Sequence, residues 1–208
     1  MSNCCCGDGL DAGALEQRHR RVLLWVLAIN IVTFIIMVVG SVVSGSSSLF
    51  SGTLDNLGDA LTYGLSLAVV GASTSTKARV AFLKGILILS AAILVALQIA
   101  WRLTSVETPI FESMGIAASL NLAANLVCLR LLYPVRSDDL NMESMWECSR
   151  NDIWDGLAVI TASVSVWLFD SGWPDLLIAI VLLAVFLRSA TRVLRRARRE
   201  LQHAPAPS

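Results

Sequence analysis

The sequence predicts an all-α membrane protein of six transmembrane helices, with both the N and the C terminus in the cytoplasm. Three observations predict it. The 208 residues are 55% hydrophobic and 15% charged, with a mean hydropathy of +0.68, far more apolar than an ordinary soluble domain. Six stretches approach the ~20 apolar residues needed to cross a bilayer, at about 22–43, 49–71, 81–102, 113–134, 149–169 and 174–192. If six helices alternate from an inside N terminus, fifteen of the sixteen Lys and Arg residues lie on or near the inner side and only Arg102 lies outside. That asymmetry is the positive-inside pattern. The chain then divides into a flexible cytoplasmic segment (1–20), a six-helix membrane domain (21–193) and a basic cytoplasmic tail (194–208). No stretch is left over for a soluble catalytic or nucleic-acid-binding domain, so an enzyme is not expected.

Span one carries one polar residue at depth, Asn30, and follows a polar, arginine-containing start, which argues against a cleavable signal. The hairpin Ser44–Ser48 is short and uncharged, as an outside loop should be. Span two is unusually polar, with Thr53, Asp55, Asn56, Asp59, Thr62 and Ser66, and reads as a helix lining a cavity rather than one facing lipid all round. Span three, Phe82 to Trp101, is nearly uniform Ile, Leu, Val and Ala, and suits a lipid or dimer face. Span four pairs Asn121 with Asn125 among small residues, which let membrane helices approach closely while the amides bond across the interface. The longest connection, 135–148, mixes both charge signs. Pro174 suits the first turn of span six. The tail arginines Arg188, Arg192, Arg195, Arg196, Arg198 and Arg199 recur at helical spacing, so they extend span six as a topology anchor that touches anionic headgroups.

Four acids in two pairs are the functional signal. A carboxylate inside a membrane helix costs roughly 2.5–3.5 kcal/mol on insertion scales, and no basic residue except Arg150 is near enough along these helices to offset it. A bound cation is the economical partner. Asp55 and Asp59 stand four apart and share one helical face; Asn151 and Asp155 repeat the spacing in span five. These four residues, Asp55, Asp59, Asn151 and Asp155, are the predicted metal ligands, with Asp152 competing for the place of Asn151 and otherwise lying behind the site. An acid near a helix start more often caps free amides and complements the dipole, which suits Asp152 better than Asp155. Asp55 and Asp59, deep within their span, have no such role.

The segment SLFSGTLDNLGDALTYGLSL (48–67) resembles the second span of the cation diffusion facilitator family, whose motif places His or Asp four residues before Asp. Asp55 and Asp59 take those places. The family's fifth-span motif has the same spacing, and Asn151-Asp152-Ile153-Trp154-Asp155 matches it. The resemblance covers the whole span region, with the same six-helix plan. It implies a divalent metal exporter exchanging metal for protons, as a homodimer in the cell (inner) membrane, with zinc or cadmium as the expected ion and no resident cofactor. The chain departs from the family in two ways. Asn151 replaces a His or Asp, so the site lacks an imidazole and its oxygens would also suit manganese, iron or cobalt. The cytoplasmic metal-binding domain that usually follows span six is missing before Ser208, so the dimer is expected to form through the membrane helices.

Charge suggests the mechanism. Three carboxylates can neutralise a dehydrated divalent ion, and protons compete for the same oxygens, which is an antiporter in outline. Gly52, Gly58 and Gly64 could allow span two to tilt, although close packing is the commoner use of such glycines. Cys4, Cys5 and Cys6, followed by His19, offer soft donors for metal capture on a mobile segment, but adjacent cysteines wrap one ion poorly. Other cysteines read as packing (Cys128) or as neighbours of the acids (Cys148), and His203 has no specific role. Leu57-Gly58-Asp59 resembles part of an intramembrane aspartyl protease motif, but position 56 is Asn where that motif needs Gly. A passive metal channel or a membrane metal-binding protein remains the third class, separated from an antiporter by proton coupling.

Overall fold

The computed structural model describes residues 8–68, 74–137 and 140–203. Cys4, Cys5 and Cys6 lie outside the described residues. The six helices are α1 (Asp8–Ser44), α2 (Ser47–Ala68), α3 (Thr74–Thr104), α4 (Phe111–Leu132), α5 (Leu140–Phe169) and α6 (Trp173–His203), with a 3-10 turn at Tyr133–Val135. No strand occurs among the described residues. Among the described residues, four segments are long and apolar enough to cross a membrane: Gln17–Ser44, Ile86–Thr104, Phe111–Val135 and Ser149–Phe169. Helix α1 begins ahead of the span read from hydropathy. Helix α5 starts at Leu140, within the expected long connection, and α6 continues to His203 through the arginine-bearing tail.

Helices α1, α2, α5 and α4 form a ring, and α3 pairs with α6 along the outer side of α2, with α6 also touching α5. The sequence builds this ring by periodicity. On α1 the buried positions are Leu23, Val26, Asn30, Thr33, Met37, Ser41 and Ser44. On α4 they are Met114, Ala117, Ala118, Asn121, Asn125, Cys128 and Leu132. Steps of three and four residues keep each series on one face. Small residues bring the backbones close: a Cβ added at Gly40 would stand 2.5 Å from Cβ of Ala117, so α1 and α4 touch there as membrane helices do. Trp25, Val42, Leu94, Leu97, Trp101, Ile116 and Trp167 point outward and are largely exposed. Apolar outside with amides inside inverts the soluble arrangement and fits a bundle solvated by lipid.

Helix α1 ends by left-handed geometry. Gly45 has φ 68°, the usual C-terminal glycine conformation, and an Arg102 guanidinium nitrogen occupies the space beside it, 2.8 Å from where a Cβ would stand. Helix α2 then starts with its first amides unpaired within the helix, and α6 supplies their partner. The Asp175 carboxylate, 1% exposed, accepts hydrogen bonds from Ser46 Oγ (2.6 Å), Ser47 N (2.7 Å), Ser48 N (3.0 Å) and Ser48 Oγ (2.6 Å). Gln98 Nε2 of α3 donates to Ser47 Oγ at 3.2 Å, so three helices meet at this clamp. Removing the carboxylate strands two amides and two hydroxyls. Asp175→Ala is therefore expected to lose about 2–4 kcal/mol, read as a lower thermal midpoint in detergent, whereas Glu112→Ala, on an exposed first turn of α4, stays within about 0.5 kcal/mol of the parent.

Candidate metal site

Halfway along the ring the buried faces change from apolar to polar and back. Leu23, Val26, Tyr63, Cys128, Leu132 and Val135 pack together towards the end that carries both termini. Met37, Leu49, Met114, Ala117, Ala118, Val159 and Ala162 pack towards the other end. Between these layers lie Asn30 and Thr33 of α1, Asn56 and Asp59 of α2, and Asn121 and Asn125 of α4, all buried. Buried amides are costly unless hydrogen-bonded, and they bond across helices. Asn56 Nδ2 donates to Asn121 Oδ1 at 2.9 Å, and Thr33 Oγ1 donates to Asn56 Oδ1 at 3.5 Å. Asn30 Nδ2 turns to the Val26 carbonyl at 3.0 Å, leaving its Oδ1 without a partner.

The acids lie in this layer. Asp55, Asp152 and Asp155 line one small cavity together with Asn56, Asn121 and Asn125. Asp55 stands beside Asp155, and Asp59 beside Asp152, so the two acids of α2 each face one of α5. Tyr63, one turn beyond Asp59, donates its hydroxyl to Asp59 Oδ2 at 3.3 Å and lies 3.4 Å from Ser149 Oγ of α5. The cavity measures about 10 Å3, close to the lower bound for one water-sized occupant. Among the described residues, its wall holds no Lys or Arg.

Of the four predicted ligands, the structure brings Asp55, Asp59 and Asp155 together but not Asn151. Asn151 is exposed and takes no part in the cavity, while Asp152, expected behind the site, lines it. The reason is helical register. Asp152, Asp155, Gly156 and Val159 follow the 0, 3, 4, 7 spacing of a single stripe, and Asn151 falls one residue ahead of it. The amides Asn56, Asn121 and Asn125 also belong to the lining. Reading Asn121 and Asn125 as helix glue concealed that, although their i, i+4 spacing mirrors that of the acids. The glycines of α2 are occupied by packing: an added Cβ would meet Met37 at Gly52, Phe186 at Gly58 and Leu27 at Gly64. Among the described residues, no three His, Cys, Asp or Glu side chains already stand as a metal-coordinating group, because the acids face one another in pairs instead of around a common point.

Residues 23–202 match the cation efflux transmembrane domain. The chain belongs to the cation efflux family. No curated protein matches it. Membership makes this cation efflux protein a multi-pass membrane transporter of metal cations. The oxygen donors present, three cavity-lining carboxyls with Asp59 beside them and three amides, are hard ligands suited to divalent ions. In this efflux protein, Asp152→Ala is expected to weaken zinc or cadmium binding at least about tenfold, the scale of one charge-assisted contact. Asn151→Ala stays within about twofold. Calorimetric titration of the detergent-solubilised protein distinguishes the two outcomes.

Proposed function

We propose that the protein exports a divalent metal ion, zinc or cadmium first, in exchange for protons, by alternating access to the α2/α5 site. The observation that carries this reading is the facing of Asp55 with Asp155 and of Asp59 with Asp152 inside the ring, at a small cavity lined by Asp55, Asp152 and Asp155. A carboxyl can donate a hydrogen bond to another carboxyl only while it holds a proton. Each facing pair therefore suits a proton-loaded site with one shared proton per pair. When a divalent ion enters, the oxygens that shared protons turn to the ion, the protons leave, and charge in the low-dielectric interior is conserved. The set of bare oxygens keeps manganese, cobalt and iron among the ions worth running beside zinc and cadmium.

The orientation proposed places both termini in the cytoplasm. Arg18, Arg20, Arg21, Arg130, Arg136, Arg150, Arg188 and Arg195 are on the segments that lead to the end with the termini, while Arg102 sits beside Gly45 at the other. That distribution supports the positive-inside assignment. A homodimer in the cell membrane is part of the reading, with outward apolar faces such as that of α3 available to a second copy.

Proteoliposomes loaded with acidic buffer test the transport reaction. Metal uptake is expected to follow the pH gradient, to stop when an ionophore collapses it, and to vanish in Asp59→Ala. Uptake that ignores the gradient identifies a channel, and no flux from well-folded protein overturns transport. Equilibrium metal affinity is expected to fall as pH falls, because protons and metal compete for the same oxygens; titrations over a series of pH values give the number of protons displaced per ion.

A further inference from the structure

A second feature lies apart from the acids, on the outer side of the ring. At the end with the termini, residues of α1 and α4 line a groove of about 400 Å3 on the outside of their packed contact. Its floor is apolar, formed by Val22, Val127, Leu131 and Val135, and its rim carries Arg18 from α1 and Arg130 from the last turn of α4. No acid lines it. Both arginines are exposed, and among the described residues neither takes part in an ion pair, a hydrogen bond or a stacked contact. Their neighbours behave differently: Arg136 lies 3.7 Å from the Tyr133 ring and 5.5 Å from that of Trp146, and Arg150 lies 5.2 Å from Trp146. Two guanidinium groups without partners at the mouth of an apolar slot make an incomplete site.

We propose that this groove holds an anionic phospholipid of the leaflet at the terminal end, with its phosphate between Arg18 and Arg130 and one acyl chain lying along α1 and α4. Three features select that occupant. The segments Gln17–Ser44 and Phe111–Val135 are the two membrane-crossing stretches that border the groove, and both end at its rim; Arg18 stands at the end of its span, Arg130 little more than one helical turn inside the other and able to extend to headgroup depth, and Val22 and Val127 lie deeper, at acyl depth. Guanidinium groups match phosphate oxygens in geometry as well as in charge. The floor gives an acyl chain apolar surface that a free phosphate could not use. The proposal rests on the membrane reading of α1 and α4 and not on metal transport.

Native mass spectrometry of the full-length protein, exchanged into equimolar phosphatidylglycerol and phosphatidylcholine, tests it. The parent is expected to retain phosphatidylglycerol preferentially. Each of Arg18→Gln and Arg130→Gln is expected to lower that preference about fivefold, which is the ~1 kcal/mol of one basic side chain at an anionic surface, and the two together about 25-fold. Val127→Trp, which fills the groove without changing charge, is expected to abolish retention, and Arg20→Gln with Arg21→Gln, exposed but outside the groove, to leave it intact. Equal loss in the Arg20/Arg21 variant reduces the effect to general basic charge and overturns the site. Retention that survives Val127→Trp but is displaced by inorganic phosphate overturns the lipid in favour of a free anion. Groove variants that change only the dimer fraction overturn it in favour of a second copy. Lipid retention is read independently of flux, so its failure is distinct from a failure of the transport reading. If the paired arginine variant does not fold, the two single variants and Val127→Trp decide the question.

Discussion

The organising constraint is that the polar groups at the middle of the bundle are buried, so each is stabilised by a partner on another helix or by a passenger. In hydrocarbon an unsatisfied amide or carboxyl is costly, and this ring places amides, hydroxyls and acids at one level. Asn56 bonded to Asn121 joins α2 to α4, Thr33 joins α1 to that pair, and the acids join α2 to α5. Those contacts fix the rotation of each helix about its axis. A turn of one residue would send Asn121 to lipid and a Leu to the cavity. The apolar layers on either side, with Tyr63 and Leu132 in one and Met37 and Met114 in the other, close the polar level between them.

Much of this was legible in the sequence because membrane helices obey strict accounting. Six apolar runs correspond to six helices, four of which carry a segment long and apolar enough to cross a membrane among the described residues, and acids four apart in a polar span marked the cavity-lining helix. What remained hidden was set by register and by long-range contact. Asn151 and Asp152 are adjacent, and both lie within a helix that the hydropathy boundary started too late; only the full stripe through Val159 reveals which of them faces inward. The span boundaries also concealed the start of α5, since the polar residues from Leu140 onward dilute hydropathy without interrupting the helix. Asp175 gave no local sign of its partners, because Ser46 and Ser48 are separated from it by more than a hundred residues.

The arrangement of the acids also clarifies why a helix can hold so much charge and remain in place. Each acid of α2 meets one of α5, so repulsion along each helix is exchanged for contact between helices. Tyr63 and Ser149 extend the same seam by one turn towards the termini, which gives Asp59 a donor that does not depend on a cation. Asp55 lies beside the cavity and beside Gly52, so the seam is polar on one side and tightly packed on the other.

The serine clamp around Asp175 has a mechanical consequence. It pins α6, and through Gln98 also α3, to the start of α2 at one end of the molecule, while the other end of α6 lies a full helix length away. The helix pair is thus a lever with its fulcrum at the end far from the termini. At a rise of 1.5 Å per residue, His203 lies about 40 Å from Asp175 along the axis, so a swing of about 5° moves the far tip by about 3–4 Å. The same swing leaves the serines almost where they were.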